Sequence, residues 1–314
     1  MKRQHARAGR SSTRRATLCL AGVALLSLWA FPSHNSVDTN EIKRLRDDIA
    51  LKEHDLRGLF AIAYKDLDCG QTFFHNAHEL MHAASLMKVP VMVEIFRQAE
   101  RGHFRLEDSL MVRNRFRSVV DGSPYALRLS EDSDDAIYGA IGRPMAIREL
   151  VERMITVSSN LAANLLLELV GPDKVTATMR GLGAPHIYVR RGLEDDKAFA
   201  KGINNETTAY DMMVILEAIA RGRAASQASC AEMIDIMLRQ ELNTKIPALL
   251  PDSIKVAHKT GSISGIDHDA GILYFPSGRR CVLVIMSKGI ANHNHAAQAI
   301  AQLTRAVLDA MGRM

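Results

Sequence analysis

Three short segments hold the residues whose types and spacing could do chemistry. In "AASLMKVPVMVEIF", residues 83–96, Ser85 and Lys88 lie three apart at the mouth of a predicted helix. Pro90 fits that helix start, where an amide has no helical partner to lose. A serine hydroxyl among the unpaired N–H groups of a helix start sits where an oxyanion is stabilised. A lysine desolvated by Leu86, Val89 and Val91 loses basicity and can take the hydroxyl proton. In "SSNLAAN", residues 158–164, Ser158 and Asn160 share a turn, and Asn164 lies one helical turn further along the same face. There a second hydroxyl can relay a proton to a leaving nitrogen, and a carboxamide can hold a substrate amide. In "HKTGS", residues 258–262, Lys259 and Thr260 offer a cation and a hydroxyl to a carboxylate, and Gly261 lets a ligand approach the backbone. Taken singly, the first two read first as helix caps and the third as an edge strand guarded by its lysine, ahead of any catalytic role. The three matter as a set.

The elements that must position them follow from periodicity. A helix is expected at about 38–54, with Ile42, Leu45 and Ile49 on one face. Strands follow at 59–66 and 70–77, joined as a hairpin through "LDCG". More than a hundred residues of helical pattern come next, with helices at 145–155, 159–170, 173–180 and 207–222 and stop signals at Gly171–Pro172, Gly181 and Gly222. Strands return at 254–261, 270–276 and 279–287, the last two around a Pro-Ser-Gly turn, and a helix closes the chain at about 293–311. Strands at both ends with helices between them imply one sheet built from distant segments, interrupted by a helical subdomain at about 84–220.

Composition narrows the function classes. The chain has 314 residues, 47% hydrophobic and 24% charged, enough for a large core. Residues 1–33 read as a signal peptide: six basic residues and no acid, then the apolar run 16–31 ended by Pro32. An uncleaved membrane anchor is the alternative, and "TRRATL" partly resembles a twin-arginine signal. Residues 34–314 form the expected catalytic domain, exported to the periplasm or secreted. Without the six basic residues of the leader, 34 remain against 35 acids, or −1, so no electrostatic case for nucleic acid survives. Cys69, Cys230 and Cys281 share no short spacing and suggest neither a disulfide framework nor a zinc site. "NHNH" (292–295) reads as a helix cap rather than a metal site, and "NET" (205–207) is a formal glycosylation sequon. No metal and no cofactor are expected, and the chain is expected to be a monomer.

In this order, Ser-x-x-Lys, Ser-x-Asn and Lys-Thr-Gly form the joint signature of the penicillin-recognising serine enzymes, and from about residue 40 to its end the chain resembles the class A β-lactamase family. The resemblance implies an α/β (α+β) fold: a five-stranded antiparallel sheet flanked by helices, an inserted all-α subdomain, and a site in the cleft between them. It implies Ser85 as the acylated nucleophile, Lys88 as its proton acceptor and Ser158 as proton donor to the lactam nitrogen. Asn160 would bind the substrate side-chain amide, Lys259 and Thr260 the carboxylate, and the backbone N–H groups of Ser85 and Ser262 the oxyanion. Glu194, directly after Leu193 in "RRGLEDDKAFAKGINNETTA" (190–209), matches the water-activating glutamate, and Asn164 the asparagine that supports its loop. Asp195 and Asp196 crowd that assignment, and all three acids also read as members of a surface loop.

The sequence departs from the family at four places. Ala198 stands where a water-holding asparagine is usual, and Ser159 where aspartate is usual. The stretch 119–143 is longer than usual, and "HDAG" (268–271) replaces the basic residue that some members carry after Lys-Thr-Gly. A peptidoglycan D,D-peptidase-like hydrolase and a penicillin sensor that does not turn over share the three motifs. They stand as alternatives to a β-lactamase.

Overall fold

The computed structural model describes residues 39–313. The expected leader and the choice between signal peptide and anchor lie outside the described residues. In chain order the elements are α1 (Thr39–Leu56), β1 (Leu59–Asp66), β2 (Thr72–His75), β3 (Met81–His82), α2 (Lys88–Glu100), β4 (Ser109–Met111), β5 (Phe116–Arg117), β6 (Pro124–Tyr125), α3 (Asp135–Tyr138), β7 (Pro144–Ala146), α4 (Ile147–Thr156), α5 (Asn160–Val170), α6 (Pro172–Gly181), α7 (Asp196–Ala200), β8 (Glu206–Thr207), α8 (Ala209–Ala220), α9 (Gln227–Leu238), β9 (Lys255–Ile263), β10 (Ile266–Tyr274), β11 (Arg280–Lys288) and α10 (His293–Ala310). A 3₁₀ turn, Ala84–Met87, leads into α2.

Five strands form one antiparallel sheet in the order β2-β1-β11-β10-β9, so the expected sheet of distant segments is present. β1 and β11 are buried almost end to end, because a central strand covered on both faces needs apolar side chains on both. On one face Leu45 and Ile49 of α1 pack with Ile300, Leu303 and Val307 of α10 over Phe60, Ile62 and Ile285. On the other, the helical segment packs its core of Met92, Ile95, Leu150, Leu166 and Met212. Three short two-stranded ladders, β3–β8, β4–β7 and β5–β6, accompany the helices of the inserted segment. α8, at the end of that segment, lies on the sheet against β1, β10 and β11.

Two differences from the sequence reading have physical causes. β10 begins at Ile266, earlier than the expected 270, because its first turns are polar: Asp267, His268 and Asp269 are all buried and all bonded, so the strand carries no apolar signal there. α9 has no counterpart in the expected elements. It starts at a Ser226 cap and buries Cys230, Met233, Ile236 and Met237 along one face, a spacing that was readable but spread among Ala, Ser and acids. The three cysteines among the described residues are free thiols, Cys69 exposed and Cys230 and Cys281 buried.

Candidate active site

Ser85 sits in the 3₁₀ turn, one residue after Ala84, whose φ of +45° is in the left-handed region. Five non-glycine residues take positive φ among those described, and Ala84, Ser158 and Glu194 are three of them. Strain of this kind costs about 1–3 kcal/mol per residue and persists where surrounding structure fixes it. Gly261 on β9 explains how the turn can lie so close to the sheet. A Cβ there would come within 3.1 Å of the Ser85 backbone nitrogen and 3.2 Å of the Ala84 Cβ. The edge position of β9 is therefore where the Ala84–Met87 turn docks.

Lys88 opens α2 and is fully buried. Its Nζ lies 2.6 Å from the Ser158 carbonyl oxygen, 2.8 Å from Asn160 Oδ1 and 3.1 Å from Ser158 Oγ. The first two partners are acceptors only, so a neutral amine gives them its two N–H groups and keeps its lone pair to accept a proton. Burial pushes the Lys88 amine down to about 7, against the opposing pull of the Asp132 and Glu194 carboxylates. Lys259, also fully buried, donates to Ser158 Oγ at 3.0 Å and to the Thr260 carbonyl at 2.8 Å. Burial and the neighbouring Lys88 hold it well below its ordinary value. The lysine of "HKTGS" therefore points inward and does not guard an exposed edge.

Ser158 thus lies between two lysine amines, one able to donate to it and one able to accept from it. Its own φ is +64°. Asn160 starts α5, and Ser159 caps that helix with an oxygen that accepts the Ala162 N–H. Asn164, one turn on, accepts the Leu193 N–H at 2.7 Å and donates to the Leu193 carbonyl at 3.0 Å, which fixes the 190–209 loop where Glu194 begins.

The three loop acids have separate surroundings. Glu194 has a side chain 10% exposed; its Oε2 accepts the Arg128 N–H at 2.9 Å and its Oε1 faces Asn160 Nδ2 at 3.4 Å. Burial raises the Glu194 carboxyl above its ordinary value, and those two hydrogen bonds oppose the rise. Asp196 is exposed and pairs with Arg128. Asp195 corrects the surface-loop expectation: it is 1% exposed and accepts from Ser118 Oγ, Val119 N and Ala198 N. Asp195→Asn is expected to lower stability by about 1–3 kcal/mol, because the amide cannot accept from Val119. Thermal unfolding checks this, and an unchanged midpoint would refute it. Ala198 is buried in α7 and brings no polar side chain to Glu194.

Ser262 is exposed, and its Oγ donates to Asp267 and accepts from Lys245 at 2.8 Å each. Lys245, 4% exposed, also lies 3.0 Å from Asp267 Oδ1. It supplies, from the segment before β9, a cation beside Ser262 that the sequence reading finds missing after Lys-Thr-Gly. Nothing in "LNTKIPALLP" announces it. His293, within the "NHNH" run, bonds Asp267 on the far side at 2.7 Å, while Asn292 caps α10. Asn205 of the sequon is buried and bonded to the Arg190 and Arg191 N–H groups and the Arg191 carbonyl, so it braces the loop and is closed to glycosylation.

Ser85, Lys88, Ser158, Asn160, Glu194, Lys259 and Gly261 thus lie in one region, joined through Ser158, Asn160 and Gly261, with Asn164 clamping the loop that carries Glu194. Residues 41–311 match the family model described as the Beta-lactamase enzyme family. The chain is 27% identical to Beta-lactamase L2 of Stenotrophomonas maltophilia over 307 residues, covering 93% of this chain and 97% of that one. The crystal structure of a beta-lactamase from Sphaerobacter thermophilus is similar at 26% identity with a TM-score of 0.76, over 89% of this chain and 99% of that one. A variant of PBP-A, solved as an acyl-enzyme complex with penicillin G, is similar at 26% identity with a TM-score of 0.72, over 87% and 97%.

Proposed function

The chain belongs to the beta-lactamase enzyme family, and from that premise we propose that it opens β-lactam rings through an acyl-enzyme formed on Ser85. The observation that carries the reading is the position of Ser158 Oγ, 3.1 Å from the Nζ of Lys88, which lies three residues after Ser85, and 3.0 Å from Lys259 Nζ. Ser85 Oγ attacks the lactam carbonyl carbon as its proton passes to the neutral Lys88 amine. The oxyanion is held by the N–H groups of Ser85 and Ser262. When the C–N bond breaks, the proton leaves Lys88 through Ser158 for the lactam nitrogen. Asn160 holds the side-chain amide of the substrate, and Thr260, with Lys259 and Lys245 nearby, its carboxylate. Glu194 then deprotonates the water that releases the acyl group.

Purified residues 34–314 with a chromogenic cephalosporin test this directly: steady turnover is expected, and the absence of both turnover and a covalent adduct would end the reading. An adduct that persists for hours would favour a peptidoglycan D,D-peptidase-like hydrolase or a sensor, the readings that Ala198, four residues after Glu194 in place of the family's asparagine, supports. Export through the basic-then-apolar leader belongs to the same proposal.

The two lysines should respond differently to arginine, which stays protonated. Lys88→Arg removes the base and should slow acylation by about 10²–10⁴-fold. It should also abolish the rise of rate with pH through about 7, since the acid limb reflects loss of the neutral amine. Lys259→Arg keeps a donor for the carboxylate and for Ser158, so it should raise KM with a smaller fall in kcat. Steady-state kinetics across pH check this. Equal KM effects with unchanged kcat would remove proton transfer from Lys88.

A further inference from the structure

The long stretch 119–143 supplies a carboxylate to the first turn of α5. Asp132 Oδ1 accepts the Asn160 N–H at 2.9 Å and the Asp134 N–H at 3.2 Å; Oδ2 accepts the Leu161 N–H at 2.8 Å and the Tyr138 hydroxyl at 3.2 Å. The preceding residue, Glu131, takes the Asn160 side-chain N–H on its carbonyl at 3.1 Å. Both ends of Asn160 are thus held from one loop, and the oxygen left over, Oδ1, is the one that binds Lys88 at 2.8 Å. Ser159, at the position where the family usually carries aspartate, satisfies only the Ala162 amide with its side chain. The orphan amides of a helix start need such partners, and a carboxylate suits the positive end of the helix dipole.

We propose that Asp132 is a positioning residue for the acylation step: it fixes Asn160, and through Asn160 the amine of Lys88, and its charge offsets that of the two lysines packed at Ser158. The proposal rests on the reading of Ser85 and Lys88 as nucleophile and base. It assigns to the long loop the carboxylate that the Ser-x-Asn segment itself lacks. The charged groups facing Lys88 are Asp132 from the 119–143 loop, Glu194 from the 190–209 loop and Lys259 from β9. Beyond them, Arg128 and Asp196 flank Glu194, Tyr138 touches Asp132, and Lys245 and Asp269 act on Lys259. Of these, the Asp132 carboxylate is the largest influence holding the Lys88 amine up against its burial.

A merely structural cap and a positioning residue differ in the pH profile. Asp132→Asn keeps the size of the side chain and removes its charge. Loss of a negative charge near Lys88 lowers the lysine pKa, so the acid limb of kcat/KM for a chromogenic cephalosporin should move to lower pH, by about half a unit or more. The plateau should fall roughly tenfold, as expected for losing a charge-assisted hydrogen bond. Asp132→Glu keeps the charge but displaces it by a methylene, so it should retain the wild-type acid limb while losing rate. It also serves as the informative variant should Asp132→Asn not fold. A lowered thermal midpoint with the acid limb and plateau of the wild type, in whichever of the two variants folds, would overturn the proposal and leave Asp132 a helix cap. Failure of the wild type to form an adduct or turn over would instead strike the underlying reading of Ser85 and Lys88.

Discussion

Replacing Ser85 with alanine is expected to abolish the penicillin adduct in an intact-mass measurement and to cut hydrolysis on the order of 10⁴–10⁶-fold, the scale seen when a nucleophile is removed from a group of residues that acts as a unit. Two serines compete for the assignment, since Ser158 is also beside Lys88. Geometry separates them. Ser158 is 6% exposed with its hydroxyl between two lysine amines, a place for a proton in transit and a poor one for attack on a substrate carbon. Ser85 is partly exposed, in a turn whose backbone is fixed by the positive φ of Ala84 and by the missing side chain of Gly261. Its own N–H lies against β9, where a second amide can complete an oxyanion site. Equal adduct on the wild type and on Ser85→Ala would move the nucleophile, with Ser158 the next to test.

What the sequence shows of this site is what short motifs and periodicity can show. β1 at 59–66 and the antiparallel strands that close the sheet follow from apolar runs punctuated by turn residues. Ser85, Lys88, Ser158, Asn160 and Lys259 follow from fixed spacings. The residues that set their electrostatics do not. Asp132, Arg128 and Lys245 belong to stretches without a motif, and their importance comes from burial and from partners far along the chain. β10 hides its start for the same reason, because Asp267, His268 and Asp269 are buried with their hydrogen bonds satisfied and read as a loop. Lys245, Ser262, Asp267 and His293 form a polar chain from the expected oxyanion strand to the start of α10, assembled from four separate segments. Spacing along one segment cannot reveal it.

Glu194→Gln should still be acylated but release product slowly, so that a penicillin adduct invisible in the wild type accumulates, with kcat lower by about 10²–10⁴-fold. The carboxylate is suited to the task in three ways. Its backbone takes a φ of +58° directly after Leu193, which Asn164 clamps on both its N–H and its carbonyl, so the side chain is aimed by the loop and not by chance. Its side chain is mostly buried, which raises its proton affinity above that of a surface glutamate, as a general base requires. Asn160 contacts both Glu194 and Lys88, so in the proposed mechanism it would link the base for deacylation to the base for acylation. The glutamine oxygen still accepts from the Arg128 amide at 2.9 Å and gives up the longer 3.4 Å contact with Asn160 Nδ2, so the loop is held and loss of the base is the main effect of the change. Asp196→Asn is the control, since that side chain faces solvent and pairs only with Arg128. Mass spectra taken through a single turnover read out the difference. Hydrolysis by Glu194→Gln at the wild-type rate would place the base elsewhere. An adduct equally persistent on the wild type would mean that, with Ala198 in place of the family's asparagine, Glu194 does not activate water and the acyl-serine is the resting product.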